Sequence, residues 1–315
     1  MLVVTATSFI KVPELRHSLE AAVAPVPVVY ARAEDCADAQ RLREILRPAQ
    51  AWLLGRESAN EALLSTLPQL QIVAKYGVGL DNIDLETCER LGIKVAWEAG
   101  VNRDAVAELT IGLMISLCRN MGLSSRRLAQ GQWWKNGGRN LTGRRVGLIG
   151  LGHIGTRVAE LLAPFRCSVR YCDIVDKTVA ARALGVQAAS YDELLSWAEV
   201  LSFHVPLTPH TRKMFDSRAL ERTQPGVWIV NTSRGEVIDQ ELLKAALRSG
   251  RLAGAALDVF ETEPLADRDL YSLDNFLGTA HIAGNSEEAV LAMGYAAIRG
   301  LQKELGLSGK NSDLY

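Results

Sequence analysis

The chain has 315 residues, of which 48% are hydrophobic and 23% charged, with a formal net charge of −1; that length exceeds the usual single domain, so two domains are expected. The near-zero charge, with no run of Lys and Arg, argues against a nucleic-acid partner, and no apolar stretch approaches the roughly 18 residues that a membrane span requires. Five cysteines (Cys36, Cys88, Cys118, Cys167, Cys172) form no CxxC pair and the start, MLVVTATSF, has no basic, apolar leader, so the reading is a cytoplasmic protein with reduced thiols, no disulfide frame and no metal site.

Short β-branched runs alternate with helical stretches from the start. Residues 2–5, 26–30, 51–54, 71–75 and 93–97 read as strands, with amphipathic segments at 13–23, 39–46 and 60–67 between them. Strands separated by helices of about ten residues indicate parallel βα units with helices on both sheet faces. A long helix is expected from about Asn102 to Gln130, and the Gly- and Asn-rich segment GQWWKNGGRNLTG (131–143) reads as a loop. A second α/β series follows, with strands at 145–149, 168–172, 200–204, 227–230, 253–258 and 276–279. The polar tail from Ser308 is expected to fray. The fold class is therefore α/β, with two doubly wound parallel-sheet domains.

After the strand at 145–149 comes GLGHIG (150–155) and then a helix to about Leu162. In that context G-x-G-x-x-G carries a mechanism. Gly150 makes the tight turn, Gly152 lets backbone approach a pyrophosphate, and Gly155 lets the helix pack against the strand. The helix N-terminus offers free N–H groups to the phosphates, and His153, inside the turn, belongs beside them. Asp173 ends the next strand, 23 residues past Gly150, near the separation of about 20 expected of a ribose partner. Its carboxylate can accept from both adenosine ribose hydroxyls and would repel a 2′-phosphate. No arginine adjoins it, so NAD is favoured over NADP. A surface aspartate at a strand end is the bland alternative.

A hydride cannot leave a secondary alcohol unless the hydroxyl proton has somewhere to go, and histidine is the natural base near neutral pH. Of five histidines, His281 in GTAHIAGNS follows an apolar strand and precedes a glycine. It therefore stands at a strand's carboxyl end, where open α/β sheets put ligands. The stretch AALDVFETEP (255–264) supplies Asp258 and Glu263. A carboxylate hydrogen-bonded to an imidazole fixes its orientation and raises its pKa, although Glu263 could equally cap a loop before Pro264. In GVWIVNTSRGEVID (226–239) an apolar strand ends on Arg234, held in a polar turn.

Together NTSRGEVID (231–239), AALDVFETEP, TAHIAG (279–284), GLGHIG and KYGVGLDNID (75–84) resemble the D-2-hydroxyacid dehydrogenase family, most nearly its D-3-phosphoglycerate dehydrogenase members. The matches run in order from about Lys75 to Glu288; the first 70 residues match in pattern alone. The resemblance implies two Rossmann-like domains, with the NAD-binding domain (99–282) inserted in a substrate domain made of 1–98 and 283–315. It implies a catalytic set of Arg234, Glu263 and His281. Arg234 would bind the substrate carboxylate in bidentate form, His281 would exchange the proton and Glu263 would tune it. Thr232 and Ser233 would line the nicotinamide, with Ala283 and Gly284 nearby, and Asp258 would accept from its carboxamide. Val205 and Pro206 would lie near adenosine, and His153 with Ile154 near the pyrophosphate. Lys75 and the backbone N–H groups of Gly77, Val78 and Gly79 would form a substrate anion pocket. A homodimer through the helix beginning near Asn102 is also implied.

Departures from the family pattern bear on the substrate. Glu98 and Ala99 stand where relatives often carry threonine and proline, and an added carboxylate there would disfavour a nearby anionic tail. Ala280 replaces the proline usual before the histidine, so the turn loses rigidity. Lys75 stands where phosphoglycerate enzymes commonly have arginine, the loop near Trp133 is a little short, and no C-terminal regulatory extension is expected. The expected substrate is a small anionic 2-hydroxyacid or 2-oxoacid. 3-Phosphoglycerate leads; glyoxylate, hydroxypyruvate and a phosphonate-bearing oxoacid are alternatives. An NAD(H)-sensing, corepressor-like binding protein is the competing class. A formate or phosphite dehydrogenase relative is a third, and formate enzymes carry Gln where Glu263 stands.

Overall fold

The computed structural model describes residues 1–307, so the tail from Ser308 lies outside the described residues. The chain divides into two compact units, Met1–Asn102 with the chain from Asn285, and Arg103–Gly284.

The first unit contains a five-stranded sheet, β1 (Leu2–Val4), β2 (Val28–Tyr30), β3 (Ala51–Leu54), β4 (Ile72–Lys75) and β5 (Lys94–Ala96), in the order β2-β1-β3-β4-β5. Every pairing is parallel. Alternate residues feed opposite cores. Leu2, Val4, Leu53 and Ile72 pack on one face with Met293, Ala297 and Ile298 of the helix Glu287–Glu304. Val3, Trp52, Leu54 and Val73 pack on the other. Period-two alternation within continuous apolar runs is what a sheet covered on both faces requires.

The second unit is built on seven parallel strands, β6 (Arg145–Ile149), β7 (Ser168–Cys172), β8 (Gln187–Ala188), β9 (Val200–Phe203), β10 (Val227–Asn231), β11 (Leu252–Leu257) and β12 (Phe276–Gly278). Their order is β12-β11-β10-β9-β6-β7-β8. The chain starts at β6, builds outward through β7 and β8, then returns to β9 on the other side. The switch point between β6 and β9 is where a doubly wound sheet leaves a crevice at its carboxyl edge.

The expected strands are found within a residue or two of their places, and the two-residue β8 is an addition too short to carry a pattern. One expected element is corrected. The single helix from about Asn102 to Gln130 is two helices, Arg103–Cys118 and Met121–Ala129, bent by 65°. Asn120 breaks them by taking a left-handed conformation, φ +53°, which asparagine tolerates better than most residues. Among the described residues no single helix is long and apolar enough to cross a membrane.

Candidate active site

The glycine turn has the geometry its sequence predicts. Gly150 has φ +96°, and a Cβ there would lie 2.5 Å from the His204 carbonyl oxygen. A Cβ on Gly155 would collide with the Gly150 carbonyl, so the helix can start this close to β6 only with glycine there. That helix, His153–Leu162, has no side-chain cap at Gly152, so its first N–H groups stay open to an anion. His153 is its first residue and Ile154 its second. Beside the turn lies a cavity of roughly 310 Å³, lined by Leu151, Gly152, His153 and Thr156 with the cations Arg103, Arg157 and Lys177.

Asp173 ends β7 half-buried, and its carboxylate accepts from the backbone N–H of Leu151 at 2.7 Å and of Val175 at 2.9 Å. The acid therefore ties the glycine turn to the end of β7. A carboxylate has about four acceptor sites, so two contacts leave capacity for a ribose. Ile174, beside it, is wholly exposed. Sequence reasoning passed over this apolar residue at a strand end. Val205 and Pro206 follow β9 on the other side of the switch point.

Three neighbouring strands deliver the proposed catalytic residues to one sheet edge. Asn231 on β10, Leu257 on β11 and Gly278 on β12 stand in register. The Arg234, Asp258–Glu263 and His281 segments leave from these ends.

Buried Asn231 builds the arginine turn. Its Oδ1 accepts from the N–H and Oγ of Ser233, at 2.9 and 2.7 Å, and its Nδ2 donates to the Arg234 carbonyl at 2.8 Å. Arg234 donates from Nη1 to the Ser233 carbonyl at 2.7 Å. Gly235 is obligatory next: a Cβ there would overlap the backbone of Phe260. That crossing brings the arginine turn against the segment that carries Glu263. Thr232 and Ser233 are both buried, with the Thr232 hydroxyl 2.9 Å from that of Thr110 and the Ser233 hydroxyl on Asn231. Each hydroxyl spends its O–H on a protein partner and keeps acceptor capacity.

His281 has φ +52°, a conformation non-glycine residues adopt rarely and at sites that over-determine it. Its Nδ1 lies 2.8 Å from Glu263 Oε2 and 3.1 Å from Oε1. The side chain is 37% exposed against 25% for Glu263.

Asp258 over-determines this turn. Its backbone carbonyl accepts from the His281 N–H at 2.9 Å. Its Oδ1 accepts from the Thr279 hydroxyl and the Ile282 N–H, at 2.6 and 2.9 Å, and its Oδ2 from the Ala283 N–H at 2.9 Å. Asp258 has no exposed surface. Its carboxylate is thus held under the histidine turn by three donors. The same contacts supply the rigidity that the missing proline at Ala280 removes. Ala283 and Gly284 follow directly.

In the other unit, Lys75 is buried at the end of β4. It donates to the Gly55 carbonyl and, at 2.8 Å, to Asn82 Oδ1. The ammonium expected to meet a substrate anion is instead built into the wall between two loops. The N–H groups of Gly77, Val78 and Gly79 donate to no group of the protein among the described residues. Glu98 is paired with Arg299 at 2.8 Å. Arg56, just past β3, is exposed.

Residues 111–283 match the family model described as D-isomer specific 2-hydroxyacid dehydrogenase, NAD binding domain. The chain is 38% identical over 243 residues to a hydroxypyruvate reductase of Thermotoga maritima, covering 76% of this chain and 78% of that one. It is 35% identical over 264 residues to a D-3-phosphoglycerate dehydrogenase of Mycobacterium leprae, covering 83% of this chain. The match spans 50% of that longer relative. A crystal structure of D-lactate dehydrogenase from Aquifex aeolicus, complexed with NAD and lactic acid, superposes with a TM-score of 0.85. It is 26% identical and the match covers 97% and 96% of the two chains.

Proposed function

Since the chain belongs to the D-isomer-specific 2-hydroxyacid dehydrogenase family of NAD-dependent enzymes, we propose that it interconverts a small D-2-hydroxyacid and its 2-oxoacid, with His281, Glu263 and Arg234 as the working side chains. The observation that carries this reading is the imidazole of His281 held by Glu263 at the sheet edge where the Arg234 turn also emerges.

NAD, when bound, accepts the hydride in oxidation and supplies it in reduction. The N–H groups at Gly152–Gly155 would hold its pyrophosphate, with His153 and Ile154 beside it. Asp173 would take the adenosine ribose, with Ile174, Val205 and Pro206 around the base. Thr232, Ser233, Ala283 and Gly284 would line the nicotinamide.

With Nδ1 engaged by Glu263, His281 presents Nε2. That nitrogen takes the hydroxyl proton in oxidation and returns it to the developing alkoxide in reduction. Glu263 stabilises the charge on the imidazolium. Arg234 binds the substrate carboxylate and polarises the adjoining carbonyl, a planar contact that suits a guanidinium. The free N–H groups of Gly77, Val78 and Gly79 receive a carboxylate oxygen. Asp258 acts beneath, holding the turn that carries the base.

Among substrates, the commitment of Lys75 to Gly55 and Asn82 favours an unphosphorylated oxoacid, of the hydroxypyruvate or glyoxylate kind, over a dianion. The likeness to D-3-phosphoglycerate dehydrogenases supports 3-phosphoglycerate as the second reading. A homodimer is proposed on the apolar residues Met121, Leu128 and Trp133, exposed in the stretch after the helix Arg103–Cys118.

The test is NADH oxidation against glyoxylate, hydroxypyruvate, phosphohydroxypyruvate and a phosphonate-bearing oxoacid. Turnover of hydroxypyruvate or glyoxylate at least tenfold more efficient than of phosphohydroxypyruvate is expected. Tight NADH binding without turnover of any oxoacid would overturn the proposal in favour of an NAD(H)-sensing protein.

A further inference from the structure

Trp97 leaves the carboxyl end of β5, the strand paired with β4 at Ala74 and Ala96. It stands beside the turn of Tyr76, Gly77, Val78 and Gly79 that leaves β4. Its indole Nε1 donates to the Val78 carbonyl at 2.7 Å. A trans peptide is planar, so its C=O and the following N–H point in opposite directions. Holding the Val78 carbonyl against the indole therefore turns the Gly79 N–H to the opposite side. Among the described residues neither that N–H nor those of Gly77 and Val78 has a partner, and unpartnered amides on one turn form an anion-binding concavity. Gly77 takes φ +125°, a conformation open to glycine and strained for other residues. The indole is 41% exposed, so an apolar surface stands open beside the turn. The acid that follows it, Glu98, is drawn off by Arg299.

From these contacts we infer that Trp97 determines how the 77–79 turn receives substrate: its N–H orients the Gly79 amide toward the substrate carboxylate, and its open ring face forms the wall that the substituent on C3 meets. The inference rests on the proposed reading of this turn as a carboxylate subsite. Trp97 is a positioning and specificity residue; it exchanges no proton. The ring favours a short, weakly polar substituent, because a doubly charged phosphate against an indole would lose hydration without gaining a hydrogen bond.

Two variants of the full chain separate the roles. Trp97→Phe keeps a ring and loses the donor. Trp97→Gln keeps a donor and loses the ring. NADH oxidation is followed with glyoxylate, which has no C3, and with 2-oxobutyrate, which carries an apolar one. Trp97→Phe is expected to raise KM for both substrates by about three- to tenfold, the effect of one lost hydrogen bond. Its kcat should stay within about twofold and its KM for NADH should not move. Trp97→Gln should leave KM for glyoxylate within about threefold, while its kcat/KM for 2-oxobutyrate relative to glyoxylate falls about tenfold. An unchanged KM in Trp97→Phe, or losses shared by kcat and the KM for NADH, would overturn the orienting role. Unchanged selectivity in Trp97→Gln would overturn the wall. A wild-type chain that turns over no oxoacid defeats the proposed function instead, whereas an active wild type with indifferent variants defeats this inference alone.

Discussion

Glu263 offers both of its carboxylate oxygens to one nitrogen of His281, at 2.8 and 3.1 Å. The contact determines which edge of the imidazole is spent and which is free. Replacing Glu263 with Gln keeps the shape and removes the charge that stabilises the imidazolium. A fall in kcat of about a hundredfold is expected, with the KM for NADH unchanged. His281→Ala should lose at least as much. Wild-type turnover in Glu263→Gln would end the assignment of this pair to proton transfer.

Arg234 and Gly235 act together, one by charge and the other by having no side chain. Arg234→Ala should abolish measurable turnover while leaving NADH affinity within about twofold, and Arg234→Lys should not restore it. Gly235→Ala forces a methyl into the Phe260 backbone, at a cost of about 3 kcal/mol. Chemical denaturation would read that cost directly. Full stability with full activity in Gly235→Ala would mean that the crossing does not position the arginine.

The carboxylate of Asp258 accepts three donors, two of them backbone N–H groups of the segment carrying His281. Asp258→Asn would aim an amide N–H₂ at one of those donors, leaving a buried group unsatisfied. A loss of about 2–3 kcal/mol is expected, together with a kcat at least tenfold lower. NADH binding, measured by fluorescence titration, should persist. A variant as active as the parent would show that the histidine turn holds itself.

His204 gives a prediction about pH. It follows β9 behind the glycine turn, its Nε2 is 2.9 Å from Ser202 Oγ, and its Nδ1 is sealed from solvent without a partner. Burial pushes the imidazole from 6.5 down to about 3. Between these values the unfolded chain binds a proton that the folded chain refuses. Its contribution is therefore present above about pH 6.5 and is lost progressively as pH falls toward 3. His204→Asn should narrow its deficit in melting temperature between about pH 7.5 and pH 5. A deficit that stays constant over that range would place the acid sensitivity elsewhere.

Much of this was legible because local chemistry writes itself locally. GLGHIG needs its glycines for backbone reasons, and Gly150 and Gly155 bear that out in the contacts a Cβ would make. The placing of Arg234, Glu263 and His281 on one edge follows from three parallel strands with ordered loops. What escaped depended on partners remote in the chain. Lys75 carries the right charge for an anion site, but Gly55 and Asn82 take its ammonium. Nothing in the segment of Asp258 reveals its donors at residues 279–283. The apolar period of residues 103–129 runs through Asn120, whose backbone conformation leaves that period intact. Trp97 read as the last residue of a strand, since its bond to Val78 spans 19 positions.

The helix Glu287–Glu304 packs Met293, Ala297, Ile298 and Leu301 under the five-stranded sheet, which has a consequence for biogenesis. During vectorial synthesis on the ribosome, strands β1–β5 emerge before β6–β12, yet one face of their sheet, covered early only by Phe9, Leu15, Leu19 and Val23, lacks the rest of its cover until the helix Glu287–Glu304 is out. The seven-stranded unit is complete in sequence by Gly284 and can finish folding while the earlier strands wait. Nascent chains stalled near residue 284 should therefore protect the later-made unit from protease before the earlier one.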